Sequence, residues 1–297
     1  MTVDFRNPSR QFTLRWAWAS LVANAALVLT GGLVRLTGSG LGCPTWPKCT
    51  DDSFVPHEAL GVNGRIEFGN RMLTYVLVAV AIATAVAVWR WAGSDRFMKR
   101  LVILMGLGIP LQGVVGGISV LTDLNPWVVS IHLLLSMVLI SAAVLLVVRV
   151  RGVDSDGLAT PYAWLIRLTY VVLWGVVYLG TIVTGSGPHA GDAKAPRNGL
   201  DPADISQAHA DVVFLLVGLT FGCWLALRGT APVAARAALV LLVIELAQGL
   251  IGFVQYWTDL PVALVATHLV GAAVLIAAGT NLLLQAQPAP DRVSAEA

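Results

Sequence analysis

Charged residues are scarce in this chain. Only 12% of its 297 residues are charged, and the net charge is +2 at neutral pH. Nucleic acid is bound through concentrated basic side chains, so we expect no nucleic-acid partner. Hydrophobic residues make up 57% of the sequence, and the mean hydropathy is +0.76, which exceeds that of soluble domains. The composition therefore predicts an integral membrane protein in contact with lipid.

Cysteine is also scarce, with three in the chain. Cys43 and Cys49 stand six positions apart in "CPTWPKC", and Cys223 lies within an apolar run. Two cysteines and the nearby His57 provide fewer than the four ligands of a structural zinc site. A disulfide between Cys43 and Cys49 is our first interpretation, and a redox-active pair or a metal site of another kind are the alternatives. Cys223 is expected to be a small core residue.

Apolar runs of membrane-spanning length are abundant. Eight can be drawn, and the first is a retained span because an acid and a proline precede it. The predicted spans cover residues 13–36, 67–89, 100–121, 127–148, 162–184, 207–227, 233–256 and 261–284. The sequence thus predicts an all-α integral membrane protein with eight transmembrane helices.

The lysine and arginine residues predict the orientation of these spans. An even number of spans puts both termini on one side, and 13 of the 19 basic residues fall on that side. By the positive-inside rule, both termini are cytoplasmic and the protein is a multi-pass protein of the cell membrane. Loops 37–66 and 185–206 are then external, where a disulfide persists.

The sequence contains an internal repeat that covers both halves of the chain. Segment 111–134 matches segment 247–270: in each copy the glutamine and the histidine stand 20 positions apart, and "TDL" begins ten positions after the glutamine. The tetrapeptide "TGSG" also occurs in both copies. Four spans per copy give the copies one orientation. We therefore expect two tandem four-helix bundles, residues 1–150 and residues 151–297.

Histidines are the chemical signal within the repeat. His132 and His268 lie at one depth, roughly 8–10 Å inside the external end of their spans. His209 lies near the external start of the sixth span, where it can face His268. Two imidazoles that face each other across a bundle suit the iron of a haem. A single histidine would more simply satisfy a hydrogen bond in the core, but the repetition favours ligands.

The first copy differs at the place of His209. There "IEFGNR" puts Glu67 and Asn70 one helical turn apart, on a shared face. His132 would then face a carboxylate and a weakly coordinating amide. We predict a closed, six-coordinate haem site in the second copy and a site with reactive space in the first. An ion pair of Glu67 with Arg71 or Arg65 is the alternative.

The chain resembles the haem A synthase family over essentially all eight spans. The resemblance is carried by "GGLVRLTGSGLGCPTWPKC", "IEFGNR", "QGVVG…IHLL", "TGSGPHAGD" and "QGLIG…THL". It implies oxidation of the C8 methyl group of haem O to the formyl group of haem A, by successive hydroxylations. The product would serve terminal oxidases.

The resemblance also implies a role for each site residue. His209 and His268 would be the axial ligands of a haem b in the C-terminal bundle. His132 would be the axial ligand of the substrate haem, and Glu67 the catalytic carboxylate, acting as a base, a stabiliser of positive charge or a water-positioning group. The family commonly has a histidine where this sequence has Asn70, which we expect to make a weak distal contact. Cys43 and Cys49 would be the paired cysteines of the first external loop.

Two other classes of protein are alternatives to this function. A transporter would show broken helices near the midplane, whereas the histidines of this chain cluster near one face of the membrane. A di-haem electron-transfer cytochrome would need two histidines in each half, against which Asn70 argues. Haem O is the expected substrate, and haem O synthase, an electron-transfer protein and a second copy of the chain are candidate partners.

Five further polar residues have weaker interpretations. Arg35 and Arg71 would either hold haem propionates or extend to the membrane interface. His189, like His57, is expected to be solvated. Glu245, deep in the seventh span, has no counterpart in the first copy.

Overall fold

The computed structural model describes residues 7–152 and 157–286. Within them, eight α-helices are long and apolar enough to cross a membrane. They are α1 (Arg10–Leu36), α2 (Gly61–Arg90), α3 (Arg96–Leu121), α4 (Pro126–Arg151), α5 (Thr160–Ser186), α6 (Pro202–Leu227), α7 (Pro232–Trp257) and α8 (Val262–Leu284). A short 3-10 helix, Glu58–Leu60, precedes α2. The eight predicted transmembrane helices are confirmed, and the chain is a multi-pass membrane protein.

Local chemistry explains where several helices begin. The side chains of Ser9, Asp95 and Asp201 accept backbone N–H groups in the first turns of α1, α3 and α6. Proline stands in the first turn of α4, α5, α6 and α7, where its missing N–H costs nothing. The largest departure from the predicted spans is α2, which begins at Gly61 and therefore places Glu67 well inside the helix.

Helix contacts divide the molecule into halves. Each of α1 to α4 contacts its successor and α4 contacts α1, and the same ring of contacts joins α5 to α8. Between the halves, α8 packs against α1 and α4, and α5 packs against α4. Met137, Ile140, Leu173 and Ile276 are among the fully buried side chains of the shared core. These contacts support a division into two bundles, which we keep as a proposal.

The two "TDL" turns have matching backbones. In the turn before α4, Asp123 and Leu124 have φ angles of 52° and 60°. In the turn before α8, Asp259 and Leu260 have φ angles of 59° and 57°. Two successive non-glycine residues in the left-handed region are uncommon. The repeat in the sequence thus has a structural counterpart at this point.

The loops of both halves pack together at one end of the helices, which we call the disulfide face (residues 37–57 and 187–201). The N–H of Gly40 donates to the carbonyl of Gly191 at 2.8 Å. The guanidinium of Arg35 donates to the carbonyls of His189 and Thr184 at 2.5 and 2.7 Å. Arg35 therefore joins α1 to the second half and does not extend away to the interface.

His189 is not a solvated loop residue, so that prediction is wrong. Its Nε2 atom lies 2.9 Å from the carbonyl oxygen of Leu260, in the turn before α8. His57 is exposed as expected, with its Nε2 atom 3.4 Å from the hydroxyl of Thr50. The difference arises because loop 187–201 folds back over the helix ends, where the carbonyl of a tight turn is available.

Candidate functional site

His209 of α6 and His268 of α8 lie together in the second half. Each stands six or seven residues inside the disulfide-face end of its helix, about 9–10 Å deep. They stand at similar depth on α6 and α8, the opposite members of the ring of contacts formed by α5 to α8. In the described part of the chain, the Nδ1 atom of each is buried without a hydrogen-bond partner. The structure thus brings together the pair that the sequence predicted.

Each intramembrane histidine is packed against a glycine of the preceding helix. A Cβ atom placed on Gly116 would stand 3.2 Å from Cε1 of His132. The corresponding distances are 3.3 Å from Gly180 to His209 and 3.6 Å from Gly252 to His268. Because glycine lets the backbone approach the ring so closely, α3, α5 and α7 each fix the position of one imidazole.

A similar glycine contact supports Asn70 as the counterpart of His209 in the first half. A Cβ atom on Gly31 of α1 would stand 4.0 Å from the amide nitrogen of Asn70 on α2. Asn70 thus lies against a glycine of α1 as His209 lies against a glycine of α5. The correspondence inferred from the sequence agrees with this packing.

The first half holds further unpaired polar atoms. Among the described residues, the Nδ1 atom of His132, the Oδ1 atom of Asn70 and the Oε1 atom of Gln112 are buried without hydrogen-bond partners. The amide nitrogen of Gln112 donates to the carbonyl of His132 at 3.3 Å and to the hydroxyl of Ser136 at 2.5 Å. Gln112 therefore secures the turn of α4 that carries His132.

Glu67 is buried and held at both oxygens. The residue is only 6% exposed to solvent. Its Oε1 atom accepts from Arg71 at 2.5 Å, and its Oε2 atom accepts from the N–H of Cys43 at 2.6 Å. The ion pair considered as an alternative is therefore present with Arg71, whereas Arg65 donates to the carbonyl of Gly61. The carboxylate is fixed in place and joined to the loop above it.

Arg71 extends this connection across the loop. Its guanidinium donates to the carbonyls of Cys43, Thr45 and Lys48. Cys43 and Cys49 form the predicted disulfide, and both are fully buried. The guanidinium is therefore committed to the carboxylate and the disulfide loop.

The disulfide loop also reaches α3. The indole of Trp46 lies against Gly117, the neighbour of the glycine that supports His132. The loop thus contacts both α2, through Glu67 and Arg71, and α3. It covers the disulfide-face end of the first half.

Sequence reasoning missed two features of these sites. The bond from Cys43 to Glu67 joins a backbone N–H to a side chain 24 positions away, and nothing in the sequence marks it. The glycine supports did leave a signal, because Gly116 and Gly252 each stand 16 positions before a histidine of the repeat. That spacing was available and identifies both contacts.

The histidines suit haem better than a bare metal ion. In the described residues, no group of three or more His, Cys, Asp or Glu side chains is arranged to hold a metal ion. A haem iron takes four ligands from its porphyrin, so one or two histidines complete it. The buried Nδ1 atoms of His209 and His268 have no hydrogen-bond partner by distance and angle, so both imidazoles suit two axial positions, and His132 with Asn70 suits one strong position.

Comparison with known proteins identifies the family. A model of the family described as "Cytochrome oxidase assembly protein" matches residues 14–63 and 60–195, more than half of the chain. The chain belongs to this family. The match includes Glu67, Asn70, His132 and the disulfide loop, and it ends before α6.

Relatives named "Heme A synthase" match the chain at moderate identity. The protein from Lysinibacillus sphaericus is 30% identical over 178 residues, 57% of each chain. The protein from Staphylococcus epidermidis is 25% identical over 229 residues, 71% of this chain and 75% of its own length. The protein from Geobacillus kaustophilus is 27% identical over 146 residues, 48% of this chain and 45% of its own. The chain thus spans between about half and three quarters of the length of these relatives.

Proposed function

We propose that this protein is a haem A synthase, a membrane oxidoreductase that converts the C8 methyl group of haem O into a formyl group. The observation that carries the proposal is the fixed carboxylate of Glu67, one turn from Asn70, in the half whose helices contain His132 as their one histidine. The names of the relatives agree with it. Neither a transporter nor a cytochrome requires this carboxylate.

His132 would bind the iron of haem O on one side. Asn70 would face the other side, and an amide oxygen is a poor ligand for iron. The substrate would therefore keep a weakly held or open position. Gln112 secures the turn of α4 that carries His132, which would keep this ligand in place. The disulfide loop would limit access to the substrate haem from the disulfide face.

Glu67 would act as a fixed charge. With water as the source of oxygen, each hydroxylation would add one oxygen atom to the methyl carbon and release two protons and two electrons, the electrons leaving through the second half to an electron-transfer protein. The second hydroxylation gives a geminal diol that loses water to form the aldehyde. Arg71 and the N–H of Cys43 hold both carboxylate oxygens, so Glu67 is not free to swing between positions. A carboxylate fixed in this way can stabilise positive charge that develops at the reacting carbon, or orient water through its remaining lone pairs.

The second half would hold haem b between His209 and His268. Bound there, haem b supplies one-electron transfer. Two histidine ligands would leave its iron no open position, which would suit a carrier of electrons rather than a reaction centre. The glycines behind the rings fix both imidazoles and so limit rearrangement as the charge changes.

The proposal also covers the orientation of the protein in the membrane and its partners. Thirteen of the basic residues lie on the side of the termini, which supports cytoplasmic termini, an external disulfide face and insertion in the cell membrane. Haem O synthase as the source of substrate, an electron acceptor and a second copy of the chain remain proposed partners.

Haem analysis after co-expression with a source of haem O tests the function. Haems extracted from the membranes should include haem A with the parental chain. The His132→Ala variant should yield haem O without haem A. His57→Ala, a change in an exposed loop histidine, is the control and should match the parent. Haem A at the parental level from His132→Ala would contradict the proposal.

A further inference from the structure

A buried polar cluster lies in the core of the second half, near the midpoint of α7. Glu245 is 3% exposed, and its Oε1 atom accepts from the hydroxyl of Thr220 on α6 at 2.8 Å. Its Oε2 atom is buried and makes no hydrogen bond in the described part of the chain. Cys223 lies one turn along α6 from Thr220, and its sulfur lies 3.3 Å from the hydroxyl of Thr169 on α5.

The cluster is costly if its only role is packing. A carboxyl group in the middle of a bilayer is expensive, and such residues commonly serve proton or charge movement. A single hydrogen bond between α6 and α7 needs no acid, since an amide or a hydroxyl could accept from Thr220 just as well. Because no neighbouring group pairs with the Oε2 atom, no neighbour fixes whether the carboxyl group carries a proton.

Glu245 also lies beneath the predicted haem b ligands. Gly252, which supports His268, follows Glu245 by two helical turns on the same face of α7, about 10 Å along the helix. Thr220 follows His209 by three turns of α6, about 16 Å. The repeat aligns Glu245 with Ile109, so the acid occurs only in the half that would hold the permanent haem.

We propose that Glu245 is a proton-binding site whose occupancy follows the electron on the haem b held by His209 and His268. The inference rests on the function proposed above. When an electron from substrate oxidation reaches the haem, the carboxylate takes one proton from water and becomes neutral. When the electron passes to an oxidised electron-transfer protein, the carboxyl group releases that proton to water. The net charge of the apolar core is the same before and after each step.

The groups around Glu245 determine how strongly proton binding at this residue is coupled to the electron on the haem. On the face of α6 that carries Thr220, the titratable side chains are Cys223, one turn away, and His209, three turns away; His268 is the one titratable residue of α8, the other neighbour of α7. In the described residues Glu245 forms no ion pair. Two unit charges about 12 Å apart, at an effective dielectric constant of about 20, change each other's equilibria roughly tenfold. For a one-electron couple, that is about 59 mV in midpoint potential.

The test compares the pH dependence of the haem b midpoint potential in the purified parental protein and in Glu245→Gln. Glutamine keeps the volume and an oxygen for Thr220 but carries no titratable proton. The parental potential should fall by about 59 mV more than that of the variant as pH rises, because the ionised carboxylate disfavours the added electron. Glu58→Gln, a change at an exposed glutamate, should behave as the parent. Glu245→Asp retains a titratable carboxyl group and should keep the pH dependence of the midpoint potential, so it provides a test if the glutamine variant folds poorly.

An infrared difference spectrum between the reduced and oxidised proteins provides a second readout. The C=O band of a protonated carboxyl group should appear on reduction in the parent and be absent from Glu245→Gln. Equal pH dependence in parent and variant, without that band, would overturn the inference and leave Glu245 as a packing residue. A parental protein without low-spin haem would instead refute the proposed function, and this inference with it.

Discussion

The two halves share a backbone plan and differ in the chemistry of their cores. Both have the left-handed "TDL" turn and a glycine behind each histidine of the repeat. The first half carries His132, Asn70 and a carboxylate tied to a disulfide loop, whereas the second carries a histidine pair above a buried acid. The contrast between Asn70 and His209, together with the carboxylate tied to the loop, is the basis on which we propose a site with reactive space in the first half and a closed site in the second.

The tetrapeptide "TGSG" shows the same divergence in the backbone. In the first half the helix ends at Leu36, and Gly38 has a φ angle of 66°. In the second half α5 continues through the tetrapeptide to Ser186. Identical residues therefore adopt different conformations, because the first copy leaves its helix early to form the disulfide loop. Glycine permits both outcomes.

Loss of an iron ligand in the second half should have the largest effect. Replacing His209 or His268 with alanine would remove one of the two proposed axial ligands, so the low-spin haem b spectrum should disappear. His132→Ala should retain that spectrum, since it changes only the first half. Visible spectra of the purified, reduced proteins make the measurement. Unchanged low-spin spectra in both second-half variants would refute the assignment of the pair.

Removing the charge of Glu67 should lower the yield of haem A by about 10²-fold while haem b stays bound. Glu67→Gln keeps the volume of the side chain, and the ratio of haem A to haem O measures the result. Arg71→Gln is the matched comparison: it breaks the same ion pair but keeps the carboxylate, and should cause a smaller loss. Equal losses in the two variants would mean that Glu67 serves only to hold the loop.

Exchanging the differing ligands should make the halves more alike. Asn70→His should shift the substrate haem towards six-coordinate, low-spin character. His209→Asn should give the second haem one strong ligand and high-spin character. Electron paramagnetic resonance of the oxidised proteins distinguishes these states. If Asn70→His left the spin state of the first haem as it was, Asn70 could not stand opposite His132.

Alanine at the supporting glycines should give the smallest effects, graded by distance. At Gly116 a Cβ atom would stand 3.2 Å from His132, a tight contact that must move the ring and shift the spectrum of the substrate haem. At Gly252 the distance of 3.6 Å is an ordinary contact, so the haem b spectrum should be unchanged. A larger shift from Gly252→Ala than from Gly116→Ala would contradict the packing described here.

Features with a local or periodic signal were predicted well from the sequence. The eight helices follow from runs of apolar residues, and the match of His132 with His268 follows from a repeat with constant spacing. The disulfide between Cys43 and Cys49 is present as predicted. The ligand roles of the histidines and the catalytic role of Glu67 stay predictions.

Features that depend on loop folding were not predictable from the sequence. Arg35, Arg71 and His189 all bond to backbone carbonyls, which every residue has and which therefore leave no signature. The contacts of Glu245 depend on the register of α5, α6 and α7, which packing sets. Its burial could be predicted, but its partners could not.

Carbon monoxide binding to the reduced protein loaded with both haems tests the central claim most directly, because carbon monoxide binds only iron with an open or weakly held position. The account predicts that one haem of two binds it, and that His132→Ala abolishes this binding while the low-spin spectrum of the other haem remains. Binding at both haems, or at neither, would contradict the division into one closed and one reactive half.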